Sequence, residues 1–327
     1  MSLDRKILEA MRENGGQGVS GADLSQRLGV SRAAVWARVE ELRQLGYEIE
    51  ASPHCGYRLA GEADVLHADD LLSRLGKTKV VGRDIRVFQE TSSTNDVVDK
   101  LARDGVPEGV VVFAESQTRG RGRLGRKWIS PAGKGLWFSV LLRPPLRPHE
   151  TIRLTVASAT ALRRALHLHT GLDVKIKWPN DILAGQKKVV GILTELHAEV
   201  DQVKYISLGI GVDVNQTAEE FPADLRKIAT SLRVALGKPV SRAALAVTIL
   251  RELDHDYQKV RSGRFAELTS EWEEHCVTIG QRVKITVGPR QISGRAEALD
   301  GDGALLLRTD HGHLERIMGG DVSIEKS

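Results

Sequence analysis

The chain has 327 residues, 41% apolar and 28% charged, with a formal net charge of +4, a balance ordinary for a globular protein and long enough for two or three domains with their own cores. Its two cysteines, Cys55 and Cys276, stand in no CxxC pattern, which excludes a disulfide framework and a cysteine zinc site. No apolar run approaches the roughly 18–20 residues of a membrane span and the N-terminus lacks an apolar signal region, so a soluble cytoplasmic protein without a membrane partner is expected.

Residues 1–62 read as a first domain, a small helical unit with a hairpin. Leu3, Ile7, Leu8, Ala10 and Met11 fall at helical spacing, and Asn14-Gly15-Gly16 stops that helix. Leu24 and Leu28 mark a second helix, Gly29 suits a sharp turn, and Ser31 is an N-cap for a third helix carrying Val35, Val39 and Leu42. Two short helices around a glycine turn are the helix-turn-helix pattern. Tyr47–Glu50 and Gly56–Leu59 alternate as a wing hairpin around Ser52-Pro53-His54-Cys55. As a DNA reader the unit would turn Ser31, Arg32, Ala33 and Arg38 to the major groove and Arg58 to a phosphate or the minor groove. A protein-interaction module is the other reading, supported by charge: residues 1–62 carry eight bases against nine acids.

Gly61-Glu62-Ala63-Asp64 reads as a polar linker, and a larger domain is expected over residues 68–275. Val87–Gln89 is a strand, and Ser92-Ser93-Thr94-Asn95 opens a helix carrying Val97, Val98, Leu101 and Ala102. Those hydroxyls are suited either to capping alone or to donating to a ligand oxygen at the positive end of the helix. A buried strand, Gly109–Ala114, leads directly into residues 116–128, Ser-Gln-Thr-Arg-Gly-Arg-Gly-Arg-Leu-Gly-Arg-Lys-Trp. Residues 116–153 hold nine Lys/Arg and one acid, so the rest of the chain is slightly acidic and the positive field is local. Glycines allow close backbone approach and arginines match phosphate or carboxylate oxygens. With little apolar content, the run should be mobile without an anion. It is either an anion cradle or an Arg-Gly nucleic-acid tether; its place after a buried strand favours the cradle.

Strands follow at Gly135–Leu142, Val174–Trp178, Val189–Glu195 and Tyr205–Asn215, with the turn Pro179-Asn180-Asp181 between two of them. Consecutive strands are close enough to pair antiparallel, with helices near 94–104, 151–170, 241–261 and 264–275 covering one face. That is a multidomain α+β fold with a mixed or antiparallel central sheet. Rossmann and P-loop fingerprints are absent. Residues 276–327 contain four or five short strands separated by Asp-Gly and His-Gly turns, the pattern of a small closed barrel.

Three patches, Ser92–Asn95, Gln117–Trp128 and Lys177-Trp178-Pro179-Asn180-Asp181 with Lys188, followed by Gly209-x-Gly-x-x-x-Asn215, strongly resemble the biotin–protein ligases. The flanking units resemble the bifunctional members, which also repress the biotin operon. The resemblance spans essentially the whole chain and implies a winged helix-turn-helix, a class II synthetase-like ligase core and an SH3-like barrel. It implies activation of biotin with ATP and Mg²⁺ to biotinyl-5′-AMP, then transfer to a lysine of a carboxylase carrier domain. Ser93, Thr94 and Gln117, with Asn95, would serve the ureido ring. Gly120, Arg121, Gly122 and Arg123 would fold over the tail and carboxyl group. Lys188, matching the family's ligand lysine, would neutralise carboxylate and α-phosphate together, and Arg123 would retain the adenylate. Arg126 and Lys127 would meet phosphates, Asp181 would serve Mg²⁺, and Trp128 would stack or pack near adenine. Gly209 and Gly211 would mark close approach of the adenylate, or a bulge.

Asp213 departs from the pattern, where the family usually has Asn, and a carboxylate there would repel phosphate unless offset. The resemblance also implies operator DNA as a partner and a homodimer when adenylate is bound. Two other readings stay open: a transcription factor that senses a small molecule without catalysis, and a lipoate-type ligase, to which the Gly120–Trp128 run does not belong.

Overall fold

In the computed structural model, residues 2–14, 17–52, 55–61 and 64–325 are described. The expected helix stop at Gly15-Gly16, the hairpin tip at Pro53-His54 and the Glu62-Ala63 part of the linker lie outside them.

The first unit is α1 (Leu3–Glu13), α2 (Gly21–Leu28), α3 (Arg32–Gln44) and an antiparallel hairpin of β1 (Glu48–Ser52) and β2 (Gly56–Gly61). Each helix starts at a serine whose hydroxyl accepts a backbone N–H three residues on: Ser2 from Arg5, Ser20 from Asp23, Ser31 from Ala34. Gly29 turns α2 into α3 at φ 66°, a left-handed conformation that glycine adopts without strain. Ile7, Leu8, Met11, Leu24, Val35, Val39 and Leu42 form a core separate from the rest of the molecule. This unit rests on α4 (Ala68–Leu75), a helix the sequence pattern did not reveal. There Arg12 donates to fully buried Asp70, which also accepts from Arg74 at 2.9 Å.

The central sheet has seven strands in the order β3-β4-β5-β9-β8-β7-β6. They are β3 (Asp84–Thr91), β4 (Val110–Gln117), β5 (Gly135–Leu142), β6 (Val174–Lys177), β7 (Asp181–Ala184), β8 (Lys187–Glu199) and β9 (Gln202–Asp213). Between them and after them run α5 (Thr94–Arg103), α6 (Ile152–Thr170), α7 (Leu232–Leu236), α8 (Arg242–Arg261) and α9 (Ala266–Glu274). Two expectations are corrected. The pair β3 and β4 is parallel, because α5 intervenes as a crossover. The helices also do not share one face. Val111 and Phe113 of β4 pack into the core with α6 and α8, whereas Val110 and Val112 pack with Val98 and Ala102 of α5. The two sets alternate along the strand because successive side chains point to opposite faces.

Five strands form the last sheet, ordered β13-β12-β11-β10-β14, from β10 (Arg282–Val287), β11 (Arg290–Leu299), β12 (Leu305–Thr309), β13 (Leu314–Ile317) and β14 (Asp321–Ile324). Val283, Ile285, Ala296, Leu305 and Leu307 join the same apolar core as α6 and α8, so this sheet is packed onto the centre. Among the described residues no helix is long and apolar enough to cross a membrane.

Candidate active site

The motif residues converge on the α5 face of the central sheet. Glycines open that face. Ser139, Gly209 and Leu193 form one rung across β5, β9 and β8; Trp137, Gly211 and Gly191 form the next parallel rung along the same face. A Cβ on Gly209 would lie 2.5 Å from Asn95 Oδ1, and one on Gly211 2.5 Å from the Trp128 indole. Both glycines therefore make room for protein side chains. They mark neither a bulge, since the register runs through them, nor a bare backbone surface.

Ser93, Thr94 and Asn95 begin α5 and are each under 5% exposed. Ser93 occupies the cap position but its hydroxyl makes no capping bond, so capping alone does not account for it. The Thr94 N–H donates to Gln117 Oε1 at 2.8 Å, and the Thr94 hydroxyl lies 2.6 Å from that of Ser139. Ser139 in turn donates to Asn95 Oδ1, and Gln117 Nε2 donates to Ser130 at 2.9 Å. Asn95 Nδ2 donates to Glu195 Oε2 at 2.6 Å. Four elements thus share one polar network, a lining suited to a small polar head group. Ser130, Ser139 and Glu195 were not singled out from the sequence; each is an isolated polar residue in or beside a strand, and only pairing across the sheet reveals it.

The basic run is tied down more than its composition suggests. Its backbone closes on itself through Gly122 N–H to Arg126 O (2.7 Å) and Trp128 N–H to Gly120 O (2.9 Å). Arg121 uses Nε and Nη2 on the two oxygens of Glu195 (2.9 and 2.8 Å) and Nη1 on Asp96 (2.7 Å). Glu195, and after it Asp96, hold its charge firmly in place against burial. The run expected to be mobile without an anion is folded as a hairpin in this structure, with Arg121 and Trp128 as its anchors. Arg126 pairs with Asp321 of β14, which directs it to the C-terminal sheet, and Lys127 is exposed.

Arg123 differs. Burial lowers its pKa, offset only partly by Asp181 and Asp321, and among the described residues its side chain bonds to Asn180 Oδ1 at 3.1 Å. Among the described residues no carboxylate lies within ion-pair distance of it, so it is a half-buried cation suited to an incoming anion. Nearby, Lys188 on β8 holds Nζ 2.6 Å from Asp181 Oδ1 and 5.1 Å from the Trp128 ring centroid. The Lys188–Asp181 contact is an ion pair by distance but lacks hydrogen-bond alignment at Oδ1. The backbone of Lys188 is bonded on both sides to the 228–230 segment, which fixes its position. Trp128 packs on the backbones of Gly191 and Gly211 and meets Trp137 edge-on; its buried Nε1 has no hydrogen-bond partner among the described residues.

Asp213 is 5% exposed at the end of β9 and accepts from Gln216 Nε2 at 2.6 Å. Burial pushes its carboxyl up to about 7, opposed by that bond and by Lys188. Near neutrality it is partly protonated, which reduces the phosphate repulsion expected of a carboxylate there.

On the first unit, Arg32 and Ala33 are exposed on α3, while the Ser31 hydroxyl is used as a cap. Arg58 is exposed and Arg38 half-buried, but both are already paired with acids. Arg38 donates to both oxygens of Asp4 and to Glu41, and Arg58 pairs with Glu50 across the hairpin. Acids at matching positions in α1 and β1 claim them. Trp36, one helical turn after Arg32 on α3, is 57% exposed, and Arg27 on α2 is exposed and without an ion pair among the described residues; neither was singled out from the sequence.

Residues 4–58 match an HTH domain, 87–213 the Biotin/lipoate A/B protein ligase family, and 278–324 a Biotin protein ligase C terminal domain. The chain is 38% identical over 323 residues, 99% of both chains, to the bifunctional ligase/repressor BirA of Bacillus subtilis. It is 31% identical to the protein of the same name from Escherichia coli, over 94% of this chain and 93% of that one. Among solved structures, the biotin protein ligase from Aquifex aeolicus in complex with biotin and ATP superposes with a TM-score of 0.64 at 31% identity, covering 75% of this chain and all of that one.

Proposed function

The chain belongs to the bifunctional ligase/repressor family of biotin protein ligases, and from that premise we infer that it joins biotin to a carrier-protein lysine with ATP and represses transcription through its helix-turn-helix unit. Its divisions are taken as residues 1–62 for DNA binding, 68–275 for catalysis and 276–327 for the C-terminal sheet.

Biotin's carboxylate attacks the α-phosphorus of ATP, pyrophosphate leaves, and biotinyl-5′-AMP remains. The carrier lysine then attacks the acyl carbon as a free amine, releases AMP and loses a proton. The first step brings two anions together and requires no proton to be removed from the nucleophile. Charge stabilisation and positioning therefore dominate. The observation that carries this reading is the meeting of Lys188 Nζ, the Trp128 face and half-buried Arg123 beside the Ser93–Gln117 network. Lys188 neutralises carboxylate and α-phosphate together, and Arg123 retains the adenylate.

Ser93, Thr94, Asn95 and Gln117 bind the ureido ring, with Ser139 and Ser130 orienting them. Gly120 and Gly122 let the loop backbone approach the valeryl tail. The partnerless Trp128 N–H, packed beside Gly211, donates to an adenylate acceptor. Lys127 remains available for the triphosphate. Mg²⁺ would be held by Asp181 with phosphate oxygens, which fits an ion that takes few protein ligands; bound there it would neutralise phosphate charge. Ser31, Arg32 and Ala33 read DNA.

The adenylate also acts as co-repressor by binding the DNA-competent homodimer preferentially, which suits a two-fold symmetric operator. Cytoplasmic location and a biotin carboxyl carrier domain as acceptor complete the proposal. Biotin-dependent exchange of labelled pyrophosphate into ATP tests the enzyme. Folded protein without exchange would leave a non-catalytic sensor as the better reading.

A further inference from the structure

We propose that Glu195 is a positioning residue for the ligase reaction: together with Arg121 it forms a latch that holds the 118–128 loop closed over the bound adenylate. The inference rests on the assignment of that loop to the ligand site.

All three nitrogens of the Arg121 guanidinium donate to protein carboxylates, Nε and Nη2 to Glu195 and Nη1 to Asp96, which uses three of its five N–H groups. Its side chain therefore serves as an anchor, and the loop approaches the ligand through its backbone and Arg123. Glu195 is the point where the loop meets the scaffold. It lies on β8, in register with Ser207 of β9, and so is as fixed as the sheet. The same carboxylate accepts from Asn95 Nδ2, and Asn95 accepts from Ser139, which touches Thr94, which touches Gln117.

One carboxylate thus joins the loop anchor to the head-group site, so occupancy of that site and closure of the loop are mechanically linked. A forked arginine–carboxylate pair is directional and comes apart as a unit when either fork is blunted. An acid placed between two substrate-binding elements has a further consequence. It supplies no charge attractive to an anionic ligand, and the paired Arg121 cancels its repulsion.

The test uses the full-length protein. Two rates are read: cleavage at Leu124, 71% exposed, by a protease that cuts after apolar residues, and loss of preformed biotinyl-5′-AMP from the protein. Glu195→Gln and Arg121→Ala are each expected to speed both by about tenfold, the scale of a charge-assisted bond, and to raise KM for biotin more than they lower kcat of pyrophosphate exchange. The double variant is expected to match the single ones, because both remove one latch.

Wild-type cleavage and release rates in the variants, or fully additive effects, would overturn the proposal. Should Glu195→Gln fail to fold, Arg121→Ala alone decides, since its side chain is in the loop and leaves the Asn95–Gln117 network intact. Absence of exchange in the wild-type protein would instead remove the ligase assignment; normal exchange with unaltered variants would remove only the latch.

Discussion

Lys188 and Asp213 show how much one residue's surroundings decide. A lysine after a turn could be ordinary surface charge; here Nζ is held between Asp181 and the Trp128 face. Replacing it with alanine is expected to lower biotin-dependent pyrophosphate exchange by roughly 10²–10³-fold, the scale of losing one preorganised electrostatic group. The melting temperature should stay near wild type, because the lysine is at the rim of the core. Near-normal exchange would remove Lys188 from the mechanism. Asp213 makes a pH-dependent prediction. Its folded pKa, about 7, lies above the value of 3.8 usual for aspartate. Between those values the folded state binds more protons than the unfolded one, so stability falls as pH rises. Asp213→Asn keeps the acceptor for Gln216 and removes this penalty. The variant should match wild type near pH 4 and melt higher at pH 8. Parallel melting curves across that range would show that Asp213 is not buried as a carboxyl.

The helices and strands that carry these residues were legible to different degrees. The third helix of the first unit was clear from Ser31 and its Val35, Val39, Leu42 spacing, yet its outward face was not. Periodicity states which residues turn inward; it does not state which outward arginines find acids on a neighbouring helix, as Arg38 does with Asp4. On this geometry Arg32→Ala should weaken DNA binding and reduce the salt slope by about one unit, as for loss of one phosphate contact. Arg38→Ala should leave the affinity of folded protein nearly unchanged and instead lower the stability of the helical unit, by about 1 kcal/mol, the scale of a charge-assisted bond at a half-exposed site. Binding measured across salt concentrations, with melting of each variant, separates the two. The converse result would return Arg38 to the DNA face. In the central sheet six strands were read as elements, β7 was not set apart from the turn before it, and α5 was placed with the other helices on one side. Both faces of β4 are apolar, and an apolar run does not say which helix covers which face.

At the scale of the molecule, three arginines are among the residues whose charged contacts join the parts. Arg12 reaches from α1 to Asp70 of α4, Arg242 holds Asp64 of the linker and Glu115 of β4, and Arg126 reaches Asp321 of the last sheet. Asp64 was expected to be a solvated linker residue; it is bound by Arg242 and by Asn215, so the segment entering the core is fastened at the strand ends that lead into the site. Arg12→Ala leaves fully buried Asp70 with Arg74 as its remaining ion-pair partner among the described residues and should cost about 2 kcal/mol, below the usual cost of breaking a buried pair because one partner remains. Chemical denaturation would show this as earlier loss of the first unit, and an unchanged midpoint would mean that the junction contributes little. The sequence by itself determined the order of the units, most of their elements and the motif residues of the site, because helix and strand periods, caps and glycine–arginine runs are local. Only the tertiary structure decided that Glu195, Ser139 and Asp96 belong to that site, that Arg38 and Arg58 are already paired, and that Gly209 and Gly211 are spaces for Asn95 and Trp128. Apart from the Arg58–Glu50 pair, eight residues apart in one hairpin, these facts depend on which strands and helices become neighbours across 25 residues or more, and a local pattern carries no record of a partner so far along the chain.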